Sequence, residues 1–257
     1  MSESAAFDQV GRGFVDHYDT VRGHVRQAVT QANLFPWLKQ TGQEVLDFGG
    51  GDGRDALWLA EMDDNVTLLD ESQEMINMAK ARMLTDGLEV IERVKIVHGG
   101  LNKLTKPESF DVVLNHCVLM YELDDPMHQL RTLSGSLKTG GILSLLIKGN
   151  EAARSQLTRD DAALDEFDRT GRYVNNLGWP AQAYSYEQMK LMLERVGLKP
   201  SDKGPHGVRV FSDDNKQAVK DVPQDELAAI VSQEIEASNN PAFLPVAQLQ
   251  HIIAVKQ

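Results

Sequence analysis

The chain has 257 residues, 42% of them hydrophobic, enough to bury the core of one large α/β domain and too apolar for a disordered chain. Its 38 acidic and 26 basic residues leave a net charge of −12, which opposes broad, non-specific nucleic-acid binding but permits a local basic patch around one nucleotide. The single cysteine, Cys117, excludes an internal disulfide, and the seven histidines are scattered without zinc spacing, so no metal is expected.

Met1–Ala6 lacks the basic start and apolar run of a signal peptide, and no apolar stretch approaches membrane-spanning length. These features point to the cytoplasm, to no membrane partner, and to Cys117 as a buried, inert thiol.

In chain order, Val21–Leu38 forms an amphipathic helix able to close over a site. Glu44–Phe48 is a buried first strand, with glycines following at once, and a helix runs from about Arg54 to Met62. Asn65–Leu69 is the second strand, closed by Asp70, and Ser72 caps a helix that continues to Leu84. Val94–Val97 and Phe110–Asn115 are the third and fourth strands, and Pro126–Leu137 is the next helix. Lys138-Thr139-Gly140-Gly141 reads as a helix stop before the apolar strand Ile142–Ile147. Such alternation is the pattern of a parallel sheet with crossover helices.

The alternation lapses over Glu151–Tyr184, which is polar, of mixed charge and loop-like at NNLGWP. It reads as an insertion before a helix over Tyr186–Val196. Val208–Phe211 and His251–Val255 are the last two strands, separated by a helix over Asp225–Ala237. The expected organisation is one domain over 1–257, with a helical segment at 1–40 and a substrate-side insertion at 151–184.

The sharpest motif is Asp47-Phe48-Gly49-Gly50-Gly51-Asp52-Gly53, which follows a strand and opens a helix. Glycine accepts positive φ and lets backbone approach a ligand closely. Asp70, ending the next strand, occupies the position from which a carboxylate accepts hydrogen bonds from ribose hydroxyls. Strand, glycines, helix, strand and terminal acid in this order favour nucleoside binding over a glycine-rich turn with a capping aspartate. The frame Gly51-Asp52-Gly53-Arg54-Asp55-Ala56 also matches GxGxxA, the loop that seats a pyrophosphate. However, Asp47, Asp52 and Asp55 crowd the loop with negative charge, which suits the cationic methionine end of S-adenosylmethionine better than a diphosphate.

DFGGGDG resembles the DxGxGxG motif of class I methyltransferases, and Asp70 resembles their ribose-binding acid. FDVVLNH and LKTGGILSLLI resemble their fourth and fifth strands. The resemblance implies a Rossmann-like, seven-stranded α/β fold with an antiparallel last strand. It implies S-adenosylmethionine as cofactor, with Gly99, Gly100 and Leu101 flanking adenine. The chain further resembles the bacterial tRNA 5-carboxymethoxyuridine methyltransferases, in Tyr18-Asp19-Thr20 with Gly23 and Arg26-Gln27-Ala28, in His116 with Val118-Leu119, in Gly207–Phe211, and around Pro241 and His251. This family esterifies the carboxylate of a modified wobble uridine. The resemblance implies that Arg26 contacts the cofactor beside Asp47, Gly49, Gly50, Gly51, Asp70, Gly100 and Leu101. It also implies that His116 borders the adenosyl or methyl end.

Two stretches depart from the family pattern, and both lie where an acceptor would bind. One is the loop Leu119–Pro126. The other is the insertion, whose Arg154, Arg159, Arg169 and Arg172 are offset by Asp160, Asp161, Asp165, Glu166 and Asp168.

Methyl transfer from a sulfonium is an in-line displacement that depends on alignment. A carboxylate nucleophile is already ionised at neutral pH and needs no general base. His116, Tyr121, Arg172, Tyr173 and Arg209 are the candidates to orient it. A hydroxyl or amine nucleophile would instead use His116 or Glu122 as base. Arg209, inside an apolar strand, requires an anionic partner, either structural or the acceptor itself. Tyr173, Trp179, Tyr184 and Tyr186 either stack on a splayed-out base or pack the insertion onto the domain. The acceptor is accordingly a tRNA carboxylate or a small metabolite. Rival readings are a non-catalytic nucleoside-binding module and an NAD-dependent oxidoreductase, the latter disfavoured by the acidic loop.

Overall fold

The computed structural model of the chain describes residues 18–39, 42–157, 160–176 and 178–257. Met1–Ala6 and Arg159 lie outside the described residues. Helix α1 (Val21–Leu34) places Val21, Val25 and Val29 on one buried stripe, and Thr20 caps it by accepting from the Gly23 amide. It stops four residues earlier than its apolar pattern, because Pro36 forces a 3₁₀ turn over Phe35–Trp37.

The expected alternation then follows: β1 (Glu44–Phe48), α2 (Arg54–Glu61), β2 (Asn65–Asp70), α3 (Gln73–Thr85), β3 (Val94–His98), β4 (Phe110–His116), α4 (Pro126–Ser136) and β5 (Leu137–Lys148). Ser72 caps α3 as read from the sequence, accepting from the Met75 amide at 3.2 Å. The insertion holds regular elements on either side of the NNLGWP stretch, whose described residues form the turn between two strands, as read from the sequence. It holds α5 (Asn150–Gln156), α6 (Asp161–Thr170) and a hairpin of β6 (Arg172–Val174) and β7 (Pro180–Gln182). Its small core joins Phe167, Tyr173, Ala181 and Ala183 to Met120 and Ala153. After it come α7 (Tyr186–Arg195), β8 (Leu198–Pro200), β9 (His206–Val208), α8 (Gln224–Ser238) and β10 (Leu249–Lys256).

The sheet order is β3-β2-β1-β4-β5-β10-β8, with β9 also paired to β10. Strands β8 and β9 lie end to end along the same edge of β10, Leu198 to Pro200 opposite Lys256 to Ala254 and His206 to Val208 opposite His251 to Leu249. They form one interrupted sixth strand, so seven strand positions result. The first five run parallel, and β10 is antiparallel to β5. This is the Rossmann-like class I methyltransferase fold, as expected from the sequence.

Two boundaries are corrected. The Lys138–Gly141 segment belongs to β5. Leu137 pairs with Phe110 and Ile142 with Val112, and Gly140, at φ 76°, accommodates the extra residues of the bulge between them. The sixth strand ends at Val208, because Arg209 turns into the left-handed region at φ 58°. Arg209 therefore does not sit inside a strand.

Successive side chains of each strand point to opposite faces. Leu46, Val113, Leu143 and Leu145 pack with α4 and α7, and Val45, Val112, Leu114 and Ile142 pack with α2 and α3. The strand order reverses between β1 and β4, and a crevice opens at the carboxyl ends of the strands there. No described helix is long and apolar enough to cross a membrane.

Candidate active site

A cleft of about 950 Å³ occupies this crevice. Its floor is the glycine loop after β1. Gly49 and Gly51 adopt φ 70° and 54° and line the cleft, and a side chain at Gly49 would run into Val118. Gly50 faces the other way. A Cβ there would lie 2.6 Å from Asp47 Oδ2 and 2.7 Å from Leu68, so it allows close packing beneath the loop rather than ligand approach.

Asp70 stands at the rim. Its Oδ2 accepts from the Gly51 amide at 2.9 Å and its Oδ1 from the Ser72 amide at 2.8 Å. Burial raises its pKa, and these two amides oppose the rise. Each carboxylate oxygen retains a lone pair for a hydroxyl. Gly99, Gly100 and Leu101 continue the wall, with the Glu71 carboxylate lying over Gly100. Phe48, Leu69, Met75 and Leu101 give this end an apolar surface.

The loop acids do not face the cleft. Asp47 is buried beneath the loop, where desolvation and the neighbouring Asp55, Asp70 and Asp52 push its pKa well up and the Ala56 amide opposes them. Asp52 receives Arg54 at 2.9 Å and Arg82 at 2.6 Å. Asp55 receives His116 Nδ1 at 2.9 Å. The reading in which these acids attract the cationic end of a cofactor is thus corrected, because none of them lines the cleft: Asp52 and Asp55 are met by Arg54, Arg82 and His116, and Asp47 lies buried with its Oδ2 unbonded among the described residues. The carboxylates lining the cleft are Asp70, Glu71, Glu122 and Asp213.

The opposite wall is cationic. Arg26 reaches in from α1, its guanidinium 4.1 Å from the Tyr18 ring centroid and 3.2 Å from the Tyr18 hydroxyl. Its Nε is buried with no hydrogen-bond partner among the described residues. Arg209 pairs with Asp213 at 2.9 Å and is held by its turn, where the buried Glu234 accepts the amides of Val210, Phe211 and Ser212 at 2.7–2.9 Å. Arg22, Lys148 and Lys216 complete this wall.

His116 lines the cleft, but its Nε2 meets Ser144 Oγ at 2.8 Å, and Ser144 in turn meets His251 Nε2 at 2.8 Å. Both His116 ring nitrogens are engaged within the protein, which leaves it no proton-transfer role toward a ligand. Tyr121 and Tyr173 also border the cleft. The Tyr121 hydroxyl accepts from Asn175 at 3.1 Å, and burial raises both phenol pKa values. Arg172 is turned aside and donates to the Leu123 carbonyl at 2.7 Å. Tyr184 belongs to the main core.

Sequence reasoning missed Lys148 and Glu234. A lone lysine ending the apolar run ILSLLIK was the available signal for the first. Nothing local marks Glu234, whose partners lie 22 to 24 residues away. Among the described residues no group of three or more His, Cys, Asp or Glu is placed to hold a metal ion.

A family model described as "Methyltransferase domain" matches residues 45–141, which contain the glycine loop, Asp70 and the first four strands. The tRNA 5-carboxymethoxyuridine methyltransferase of Escherichia coli K12 is 28% identical over 97% of this chain and 95% of its own length. The chain is an S-adenosylmethionine-dependent methyltransferase. A ubiquinone biosynthesis O-methyltransferase of Xanthomonas euvesicatoria is 34% identical to it over 42% of the chain and 44% of that protein. Among solved structures, an S-adenosylmethionine-dependent methyltransferase from Mesorhizobium loti shares the fold of this methyltransferase. Its TM-score is 0.62, with 18% identity, covering 90% of this chain and 100% of that one. The Burkholderia thailandensis 1,6-didemethyltoxoflavin-N1-methyltransferase, with bound S-adenosylhomocysteine, does so at a TM-score of 0.59 and 18% identity, covering 100% and 86%.

Proposed function

We propose that this methyltransferase acts in the cytoplasm and esterifies the carboxylate of 5-carboxymethoxyuridine at the wobble position of tRNA. The observation that carries the reading is the cationic wall of Arg22, Arg26, Lys148, Arg209 and Lys216 facing the cofactor loop, with Asp213 paired to Arg209 within it. A carboxylate acceptor needs such a wall. The near full-length similarity to a tRNA 5-carboxymethoxyuridine methyltransferase supports the same acceptor.

The residues present fit the cofactor. Asp70 would take the ribose hydroxyls, Gly49 and Gly51 the close approach of its chain, and Gly100 and Leu101 the adenine. Arg26, with its unsatisfied Nε, would take the methionine carboxylate. The cofactor supplies a methyl carbon on a sulfonium; transfer to a carboxylate oxygen forms a C–O bond, breaks the C–S bond with its electron pair left on sulfur, and moves no proton. The protein therefore needs to orient an anion and supplies no base, in keeping with the engaged nitrogens of His116. Tyr121, Tyr173 and Arg209 border the space left for the acceptor.

A small metabolite is the second reading, which the net charge of −12 suits better than it suits RNA. The test is incubation with labelled S-adenosylmethionine and tRNA from cells lacking the protein. A base-labile label on a uridine is expected. Labelling of a small acid in place of tRNA would give the second reading precedence.

A further inference from the structure

We infer that Lys148 selects the methyl acceptor by charge: its ammonium, beside the Arg209 guanidinium, is the seat of the acceptor's carboxylate. The inference rests on the methyl-transfer reading of the cleft and assigns a residue to acceptor choice.

Lys148 is the last residue of β5 and lines the cleft, with the residue 5% exposed. The one hydrogen bond of its ammonium among the described residues runs from Nζ to Gln248 Oε1 at 2.7 Å, and no described carboxylate lies within ion-pair distance of it. An ammonium has three donors, so two remain. A buried cation facing a neutral amide is poorly compensated, since burial of a charge is costly unless it is paired. Of the near groups, Arg209 worsens the imbalance, and Asp213 and Cys117 partly offset it. Arg209 repels it, and Asp213, the one nearby carboxylate, already holds Arg209 at 2.9 Å. Burial and Arg209 accordingly draw the lysine's pKa down to about 8. An anion placed between Lys148 and Arg209 would restore the balance.

The cofactor's own carboxylate is not the best occupant. Arg26 neighbours Asp55 at the start of α2 as well as Arg209, and so stands between the glycine loop and this pair, whereas Lys148 neighbours Arg209 and Asp213 on the far side of it. A backbone phosphate of RNA is also a poor fit, because flanking sugars cannot follow it to a lysine so little exposed. A carboxylate on a short arm projecting from a base can reach.

The test compares the full-length wild type with Lys148→Met and Lys148→Arg. Three readings are taken on each: calorimetric affinity for S-adenosylhomocysteine, affinity for tRNA carrying the free acid against the same tRNA carrying the methyl ester, and kcat/KM with the acid. Wild type is expected to prefer the acid over the ester. Lys148→Met should lose that preference and 10- to 100-fold in kcat/KM, keep its cofactor-product affinity within about twofold, and remain folded by thermal melt. Lys148→Arg should recover most of the preference.

Unchanged acid preference in Lys148→Met overturns the seat. So does a tenfold weaker affinity for S-adenosylhomocysteine, which would move Lys148 to the cofactor. A base-stable label in the wild-type product overturns it too, because the acceptor would then be no carboxylate. If wild type labels no tRNA but forms a base-labile ester on a small acid in a Lys148-dependent way, the tRNA reading fails and the seat stands.

Discussion

Gln248 gives Lys148 its hydrogen bond, at 2.7 Å, and offers it no charge. The relationship has a consequence for stability that can be read without substrate. The folded pKa of Lys148, about 8, is depressed below the unfolded value of about 10.4. Between these values the unfolded chain holds a proton that the folded chain has released, so stability should rise with pH across that window. Below pH 8 the whole cost of the buried charge is present. Lys148→Met should therefore raise stability at pH 7 by about 1–3 kcal/mol and flatten the alkaline rise. Urea unfolding at pH 7 and pH 10 measures both. A destabilised Lys148→Met would show that the ammonium is a structural contact.

Asp70 joins two stretches of chain, since one carboxylate accepts from the Gly51 and Ser72 amides. Asp70→Ala should weaken S-adenosylhomocysteine binding by about 1.5–3 kcal/mol, roughly 10- to 150-fold, as a charged hydrogen-bond acceptor is lost. Calorimetry reads it directly. Unchanged affinity would remove Asp70 from the cofactor site.

Glu234 shapes the acceptor side from a distance by holding the amides of Val210, Phe211 and Ser212 beside Arg209. Glu234→Gln loses the charge and one of its two acceptors, and should cost about 2–3 kcal/mol of stability. It should raise the KM for acceptor several-fold while leaving S-adenosylhomocysteine affinity within about twofold. A variant that weakens the cofactor as much as the acceptor would place this turn against the cofactor.

His116 separates base catalysis from orientation. Because Asp55 and Ser144 take both its nitrogens, His116→Gln should lower the melting temperature but keep kcat per folded molecule within about threefold. A drop in kcat of about a hundredfold, the lower range for a lost general base, would restore His116 as a catalytic residue.

The parts of this protein legible in its sequence are those set by local chemistry. The glycine loop, the Asp70 ending β2, the Ser72 cap and the alternation from β1 to β5 all depend on neighbours a few residues apart, where apolar period, positive φ and capping act. Tertiary structure decided which charges face the ligand. Asp47, Asp52 and Asp55 look like site acids in the sequence, yet each is turned inward, two of them onto Arg54, Arg82 and His116. Arg209 looked like a strand residue and proved to be a turn residue fixed by Glu234 and Asp213. Lys148 gained its meaning from Gln248, 100 positions away, and His116 from Ser144 and His251 across β4, β5 and β10. Burial and charge compensation are properties of surroundings that only the folded chain brings together, and no spacing rule in the sequence encodes them.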